Sequence, residues 1–196
     1  MLSQLLEEKG IKLVLASKSP RRQELLKGLD IDFSVRVKDA DESYNLSIPL
    51  LNVAEVIAEN KAKAFVNEIK NNEIVITADT VVIVNNQILG KPKTKIQAFD
   101  MLSKLSNGWH KVVTGVCLQS KTDKKVFSAV TNVHFKPLTC DEMNYYLKKY
   151  KPFDKAGSYG IQEWIGFIGI DKIEGSYFNV MGLPVHLVFK KLLEIV

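Results

Sequence analysis

The sequence contains little cysteine and no long apolar run. Its two cysteines, Cys117 and Cys140, lie far apart and form no Cys-x-x-Cys pair or Cys/His cluster. Such cysteines are typical of a reduced cytosolic protein, so we expect neither a disulfide nor a zinc site. The longest apolar stretch, residues 74–84, is interrupted by Asp79, and residues 1–10 lack the apolar core of a signal peptide. We therefore expect a cytoplasmic protein with no membrane partner.

Several common catalytic and nucleotide-binding motifs are also absent. The Gly-x-Gly-x-x-Gly fingerprint does not occur, and Gly90-Lys91-Pro92 is not part of a P-loop because the residue five positions before Gly90 is Asn85. The three histidines are isolated, and no Ser/His/Asp or Cys/His arrangement can be built from the sequence. These absences disfavour a Rossmann-type enzyme, a P-loop ATPase and covalent catalysis.

The charge balance is basic. The chain has 27 lysines and arginines against 22 acidic residues, a formal net charge of +5, which favours anionic ligands. The lysine clusters at 121–125 and 148–151 are expected in a hairpin turn and at a helix end, and neither makes the basic and aromatic stripe of a nucleic-acid groove. We expect a bound nucleotide rather than a stable nucleic-acid partner.

Alternating strand-like and helical patterns predict an α/β fold. With 196 residues, the chain suits one domain or two closely fused lobes. The predicted elements are strand 11–16, helix 19–29, strand 31–37, helix 51–71, strand 73–84, helix 95–106, strands 110–120 and 125–136, and helix 139–149. Beyond residue 152, glycines among aromatic residues indicate loops and strands before a last helix over 183–193.

The first predicted helix carries two arginines in its first turn. Ser19 is a good N-cap and Pro20 suits the first helical position, so the helix should begin at Ser19. Arg21 and Arg22 then oppose the helix dipole unless an anion lies beside them. Free backbone N–H groups and the hydroxyls of Ser17 and Ser19 would complete a phosphate site. An ordinary capped helix with two solvated arginines explains the segment about equally well.

Two charged residues occupy positions where apolar residues are usual. Asp79 interrupts the buried strand, and because an unpaired buried carboxylate costs several kcal/mol, it must meet a cation, a metal or strong donors. We favour a catalytic or metal role over a structural ion pair. Lys61 lies on or beside the apolar stripe of the predicted helix 51–71. Glu42, in an acidic loop, is either a second oxygen ligand for magnesium or simply solvated.

Two later segments place lysines near tight turns. Lys91 follows a turn at Asn85-Asn86 and lies in a rigid Gly-Lys-Pro corner, which alone would be an ordinary surface turn. Residues 154–162 combine Lys155 and Gln162 with small residues that allow a backbone to approach a ligand closely. A tight structural loop is the alternative explanation.

Together these segments resemble the Maf family of nucleotide pyrophosphatases. The matching motifs are residues 16–26, 60–62, 78–82, 89–92, 154–162 and 179–184. The resemblance spans residues 13 to 193, nearly the whole chain. It implies one ITPase-like α/β domain of two closely fused lobes, with a mixed twisted sheet flanked by helices and an active-site cleft between the lobes. It also implies a homodimer.

The resemblance implies metal-dependent hydrolysis of a nucleoside triphosphate between its α- and β-phosphates, which yields the monophosphate and pyrophosphate. Asp79 is then the acceptor of a proton from the attacking water and, with Glu42, a ligand of a divalent cation. The expected cation is Mg²⁺, with Mn²⁺ as the alternative. The residues assigned to the phosphates are Ser17, Arg22, Lys61, Lys91 and Lys155.

Three positions distinguish the branches of the family. The dTTP/UTP branch has arginine, threonine and glutamine where the 7-methyl-GTP branch typically has tryptophan, glutamine and glutamate, and here these residues are Arg21, Thr80 and Gln162. They favour dTTP, UTP and modified pyrimidine nucleotides as substrates in a house-cleaning role. Glu163 and Trp164 depart from the glycine that commonly follows the glutamine, and a bulkier pair could reshape the base pocket.

Two alternatives stay open. One is a 7-methyl-GTP pyrophosphatase. The other is a non-enzymatic protein of septum formation or nucleic-acid binding, which the basic charge and the family's name suggest. Asp79, Lys91 and Arg22 argue against the second alternative, because a protein that only binds has no need of a buried strand aspartate.

Overall fold

A computed structural model describes all residues from 1 to 196 and has an α/β architecture. The strands are β1 (Lys12–Leu15), β2 (Phe33–Val35), β3 (Glu73–Val84), β4 (Gln87–Leu89), β5 (Gly108–Gln119), β6 (Lys124–Phe135) and β7 (Ile170–Glu174). The α-helices are α1 (Leu2–Glu8), α2 (Pro20–Lys27), α3 (Val53–Lys63), α4 (Lys95–Leu105), α5 (Cys140–Tyr150), α6 (Trp164–Gly169), α7 (Tyr177–Met181) and α8 (Val185–Ile195). Short 3₁₀ helices cover 50–52, 66–68 and 156–158.

The strands form one mixed sheet of seven strands. They pair in the order β2-β1-β3-β5-β6-β7, and β4 pairs with β3. β1 is parallel to both β2 and β3, with Leu13 opposite Phe33 and Ile74, whereas β4 and β7 are antiparallel to β3 and β6. The prediction of a mixed sheet with flanking helices is confirmed.

The chain divides into two compact units. The first comprises residues 1–79, 114–129 and 182–196. Its apolar residues pack the segment after α3 against β1 and β3 in a cluster of Val14, Phe65, Ile69 and Val75. Gly115 of β5 lies so close to α3 that an added Cβ would fall 2.3 Å from the carbonyl carbon of Ala54. This close approach holds α3, which carries Lys61, against the sheet.

The second unit comprises residues 80–113 and 130–181. Its core contains a polar contact among aromatic rings, because the buried His110 Nε2 lies 2.7 Å from the hydroxyl of Tyr159. Both rings pack on Phe135. Burial lowers the pKa of His110 to about 3, so the imidazole is neutral inside the folded protein.

Strand β3 has the predicted bounds, but the predicted helix 51–71 is wrong. The chain forms a 3₁₀ turn over 50–52, the helix α3 over 53–63 and a second 3₁₀ turn over 66–68. The helix stops because Phe65 and Ile69 turn inward to pack against β1 and β3. Lys124 was expected in a hairpin turn and instead begins β6, where it pairs with Glu59 at 2.5 Å.

Three helices were not predicted, namely α1, α6 and α7. They have seven, six and five residues, too few to give a clear helical period, and α6 contains two glycines. No helix in the structure combines the length and the apolar character needed to span a bilayer.

Candidate active site

The start of α2 forms a hydrogen-bonded cap at the end of β1. The Ser19 hydroxyl accepts a hydrogen bond from the backbone N–H of Arg22 at 3.4 Å, and the Ser19 N–H donates to the hydroxyl of buried Ser17 at 3.2 Å. Ser19 is therefore the N-cap, as predicted. Pro20 at the first helical position has no N–H that needs a partner.

Arg22 is held in place by Gly182, which lies in the matching motif 179–184. Its Nε donates to the carbonyl oxygen of Gly182 at 2.8 Å. Gly182 has φ 114°, a conformation that glycine adopts readily and other residues rarely do. Burial lowers the pKa of Arg22, and the negative charges of Asp79 and Glu42 oppose this shift. A guanidinium remains charged in proteins, so Arg22 is a cation within the field of both carboxylates.

Lys61 joins these two carboxylates. Its Nζ lies 2.6 Å from Asp79 Oδ1 and 2.8 Å from Glu42 Oε1. The side chains of Lys61 and Asp79 are only 17% and 15% exposed, and that of Glu42 is 54% exposed. We call Glu42, Lys61 and Asp79 the Lys61 cluster. Of the partners predicted for Asp79, a cation, a metal or strong donors, the structure shows a cation, which is the lysine beside the apolar stripe of α3. This contact is the structural ion pair that the sequence analysis disfavoured, so the catalytic or metal role of Asp79 stays a prediction.

The Lys61 cluster offers two hard oxygen donors that converge on one point. Mg²⁺ in enzymes is usually bound by one or two carboxylates, with water and substrate phosphates filling its other positions. No group of three or more His, Cys, Asp or Glu side chains is arranged to hold a metal ion. The donor set thus fits a cation that arrives with a phosphate substrate, and it does not form a complete protein cage.

A second charged cluster lies in the second unit. Lys155 Nζ lies 2.7 Å from Asp154 Oδ1 and 3.0 Å from Glu163 Oε1. Lys155 is only 10% exposed, Asp154 is 62% exposed and Glu163 is 23% exposed. We call these three residues the Lys155 cluster.

The predicted lysine turn is attached to the loop that carries Lys155. The N–H of Gly157 donates to the carbonyl of Gly90 at 3.1 Å, so Lys91, which is exposed, follows a residue bonded to that loop. Gly157 has φ 68°, and its missing side chain leaves room for Val82 of β3. The prediction of a turn before Lys91 is confirmed, because Asn85 has φ 49° and begins the β3–β4 hairpin turn.

The remaining predicted site residues are divided between the two units. Arg21 lies half-buried in the first turn of α2, in the first unit. Thr80 follows Asp79 on β3 and belongs to the second unit, as does the half-buried Gln162.

The sequence did not reveal that Glu163 has a hydrogen-bond partner, Tyr146, within the second unit. Tyr146 of α5 is fully buried, and its hydroxyl donates to Glu163 Oε2 and accepts from the N–H of Gly160 at 3.1 Å. Tyr146 falls on the apolar side of α5, so the pattern alone indicates a core residue. The sequence signal for Glu163 was its departure from the family's glycine, whereas its ionic contact with Lys155 depends on the shape of the loop. Trp164 packs on Tyr145 of α5, with ring centroids 4.8 Å apart.

The family described as Maf-like protein matches residues 12–195. The chain belongs to this family. Among its Maf-like relatives, the dTTP/UTP pyrophosphatase of Flavobacterium johnsoniae is 47% identical over 96% of this chain and 97% of the relative. The protein of the same name from Parabacteroides distasonis is 51% identical over 94% of this chain and 96% of the relative. Among solved structures, the Staphylococcus aureus Ham1 protein is 19% identical, with a TM-score of 0.47 over 63% of this chain and 71% of that one, a likeness too small to carry a conclusion.

Proposed function

We propose that this Maf-like protein is a pyrophosphatase that hydrolyses dTTP and UTP to the monophosphate and pyrophosphate. The observation that carries the proposal is the identity of about half of all residues, over nearly the full length, with relatives named dTTP/UTP pyrophosphatase. Modified pyrimidine nucleotides are included in the proposed substrates.

In this proposal the phosphates are bound by Ser17 and four cationic side chains. Ser17, Arg22 and Lys61 belong to the first unit, and Lys91 and Lys155 to the second. Arg22 supports the assignment most directly, because the carbonyl of Gly182 and the cap of α2 fix its guanidinium and its backbone. A fixed guanidinium can bind phosphate oxygens through two parallel hydrogen bonds.

Asp79 accepts a proton from the attacking water in this proposal. The carboxylate lies on a strand, which fixes its backbone, and the Lys61 ammonium 2.6 Å away fixes its side chain. A general base must be within hydrogen-bond reach of the proton that it removes, and a fixed carboxylate meets that condition for one position of the water.

The proposal includes a divalent cation, Mg²⁺ with Mn²⁺ as the alternative. Glu42 and Asp79 would hold it, since both present oxygen atoms to the same point. When bound, such a cation neutralises phosphate oxygens and supports the departure of pyrophosphate. Lys61 then balances the charge of the two carboxylates in the absence of the cation.

Base selection is assigned to Arg21, Thr80 and Gln162. The arginine and the amide can pair with the carbonyl and N–H groups of a pyrimidine, and the short threonine leaves room for its ring. The proposal further includes a single domain of two fused lobes, a cytoplasmic location and a homodimer. Two free cysteines, one buried and one exposed, are consistent with a reducing compartment.

Product analysis of the wild-type chain tests the proposal. We would incubate it with dTTP and Mg²⁺, without added inorganic pyrophosphatase, and separate the products. The expected products are the monophosphate and pyrophosphate, with no turnover in the presence of a chelator. Release of orthophosphate and the diphosphate would show that the wrong bond is cut and would overturn the proposal.

A further inference from the structure

Glu163 occupies a position between two kinds of predicted substrate contact. It directly follows Gln162, which is assigned to the base, and its carboxylate contacts Lys155, which is assigned to the phosphates, at 3.0 Å. It is also the N-cap residue of α6 in extended conformation, so its backbone is fixed where the loop enters the helix. Glu163 is thus the chain neighbour of the residue assigned to the base, and its side chain contacts a residue assigned to the phosphates.

Lys155 depends on carboxylates for a defined position. A lysine side chain is a flexible stem, and its ammonium has three N–H donors. Two of these donors face Asp154 and Glu163, which leaves one for a ligand. Asp154 is mostly exposed, and exposed ion pairs hold their partners weakly. Glu163, which is more buried, is therefore the stronger anchor.

The Glu163 carboxylate is itself fixed by a second contact, on the oxygen that does not face Lys155. Its second oxygen accepts a hydrogen bond from the buried phenol of Tyr146. Burial and the neighbouring carboxylate raise the pKa of Tyr146, so the phenol stays protonated and remains a donor. An added Cβ on Gly160 would fall 2.8 Å from the carboxyl carbon of Glu163, so the carboxylate occupies space that only a glycine at position 160 leaves open.

We propose that Glu163 is a positioning residue that holds the ammonium of Lys155 ready for a phosphate group. The proposal rests on the proposed function, in which Lys155 contacts the triphosphate. Loss of the carboxylate frees the lysine stem, and the ordering of that stem then opposes substrate binding. Glu163 acts on the reaction through Lys155 and makes no contact with the reacting atoms.

A double-mutant cycle on Glu163 and Lys155 tests this inference. The variants are Glu163→Gln, which keeps the size of the side chain, Lys155→Ala, and the two combined. Glu174→Gln is the matched control, because Glu174 is an exposed glutamate of the same unit that accepts a hydrogen bond from Asn132 and contacts no predicted site residue. We would measure kcat and KM for dTTP with Mg²⁺, and the affinity for a non-hydrolysable α,β-methylene analogue of dTTP without metal.

Glu163→Gln is expected to raise KM and weaken analogue binding by about three- to tenfold, with kcat nearly unchanged. The same substitution made in Lys155→Ala should have no further effect, and Glu174→Gln should match the wild type. Independent, multiplying effects of the two substitutions would overturn the inference, because Glu163 would then not act through Lys155. Unchanged or tighter binding by Glu163→Gln would also overturn it, since the carboxylate would then be idle or compete with phosphate for the lysine.

Two further readouts separate this inference from other failures. Thermal unfolding shows whether Glu163→Gln folds. If it does not, Tyr146→Phe is the second variant, because it removes the hydrogen bond to Glu163 and keeps the ion pair with Lys155. That variant should weaken analogue binding in the same direction, and binding equal to the wild type would contradict the inference. If the wild-type chain releases no pyrophosphate, the proposed function itself fails, whereas an active wild type with a multiplying cycle rejects only the role of Glu163.

Discussion

Each unit holds one lysine between two carboxylates, yet the two arrangements are built differently. In both, one carboxylate is exposed and the other is largely buried. The inner carboxylate of the Lys61 cluster, Asp79, comes from the middle of a long strand and lies in the field of Arg22. The inner carboxylate of the Lys155 cluster, Glu163, follows an irregular loop and is bonded to the phenol of Tyr146.

The different surroundings of the two lysines suggest different functions for the two clusters. Around Lys61, cations and hard oxygen donors converge on one place, an arrangement suited to phosphate, metal and water. Around Lys155, the inner carboxylate divides its two oxygens between the lysine and a protein donor, an arrangement suited to holding the lysine still. We therefore assign the chemical step to the Lys61 cluster and substrate positioning to the Lys155 cluster.

The largest expected effect is the loss of the base. Asp79→Asn keeps the size of the side chain and should lower kcat by roughly 10²- to 10⁴-fold. The matched control is Asp100→Asn, because Asp100 pairs with Lys104 on the exposed face of α4. Steady-state turnover of dTTP at saturating Mg²⁺ measures the change. A folded Asp79→Asn enzyme with near-normal kcat would remove the chemical role from the Lys61 cluster and make Glu42 the better candidate for the base.

Base choice is expected to show the second largest effect. Replacement of Arg21, Thr80 and Gln162 by tryptophan, glutamine and glutamate should shift kcat/KM from dTTP and UTP toward 7-methyl-GTP. Each unmatched buried polar contact costs about 1–3 kcal/mol, which corresponds to roughly five- to 150-fold in kcat/KM per position. The three substrates would be compared in the parent and the triple variant. An active triple variant with the parent's ranking would mean that the base is selected elsewhere.

Removal of Lys61 should make the stability of the first unit depend on divalent cations. Lys61→Met leaves two adjacent carboxylates without their ammonium and should lower the free energy of unfolding by about 1–3 kcal/mol in the absence of metal. Mg²⁺ should recover part of this loss because it can take the place of the ammonium. Mg²⁺ should raise the free energy of unfolding of Lys155→Met by less, because Glu163 keeps its hydrogen bond to Tyr146. Urea unfolding of both variants with and without Mg²⁺ measures this difference. If Mg²⁺ changed the free energy of unfolding equally in the two variants, the two clusters would not differ in the way proposed.

Because His110 is buried and neutral, the free energy of unfolding of the second unit should depend on pH. Folding lowers the pKa of His110 from 6.5 to about 3, so between these values the unfolded chain takes up a proton that the folded chain does not. The stability is complete above pH 6.5 and falls as the pH is lowered toward 3. The loss from His110 should reach about 2 kcal/mol at pH 5.

The comparison of His110→Gln with the exposed control His186→Gln checks this prediction. Urea unfolding at pH 7.5 and pH 5 should show a smaller pH difference for His110→Gln than for the wild type, and an unaltered difference for His186→Gln. Equal pH differences in all three proteins would mean that His110 does not contribute.

Local signals in the sequence predicted the parts of the fold that long apolar runs and caps determine. Strand β3 has the predicted bounds because it is a continuous buried run, and α2 begins after Ser19 because a serine followed by proline is a strong start signal. Helices α6 and α7 escaped prediction because each has fewer than two full turns among glycines. Their ends are determined by packing, which one sequence does not reveal.

The candidate site divides in the same way. The sequence predicted that Asp79 needs a cation, a metal or strong donors, because the cost of burying a carboxylate is a general property. That Lys61 supplies the cation depends on how closely α3 lies against the sheet, an approach that Gly115 of β5 allows and that the sequence pattern does not show. The contact between Lys155 and Glu163 depends on a loop in which Gly157 and Ser158 both have positive φ, a conformation that periodicity cannot predict.

The most direct test of the division between the clusters is one comparison of kcat and KM for Asp79→Asn and Lys155→Ala, with dTTP and saturating Mg²⁺. We expect Asp79→Asn to lose at least about a hundredfold in kcat, with KM within about threefold of the wild type. We expect Lys155→Ala to raise KM by about tenfold or more and to keep most of kcat. Loss of kcat alone in both variants, or the reverse assignment of the two effects, would contradict the division between the clusters.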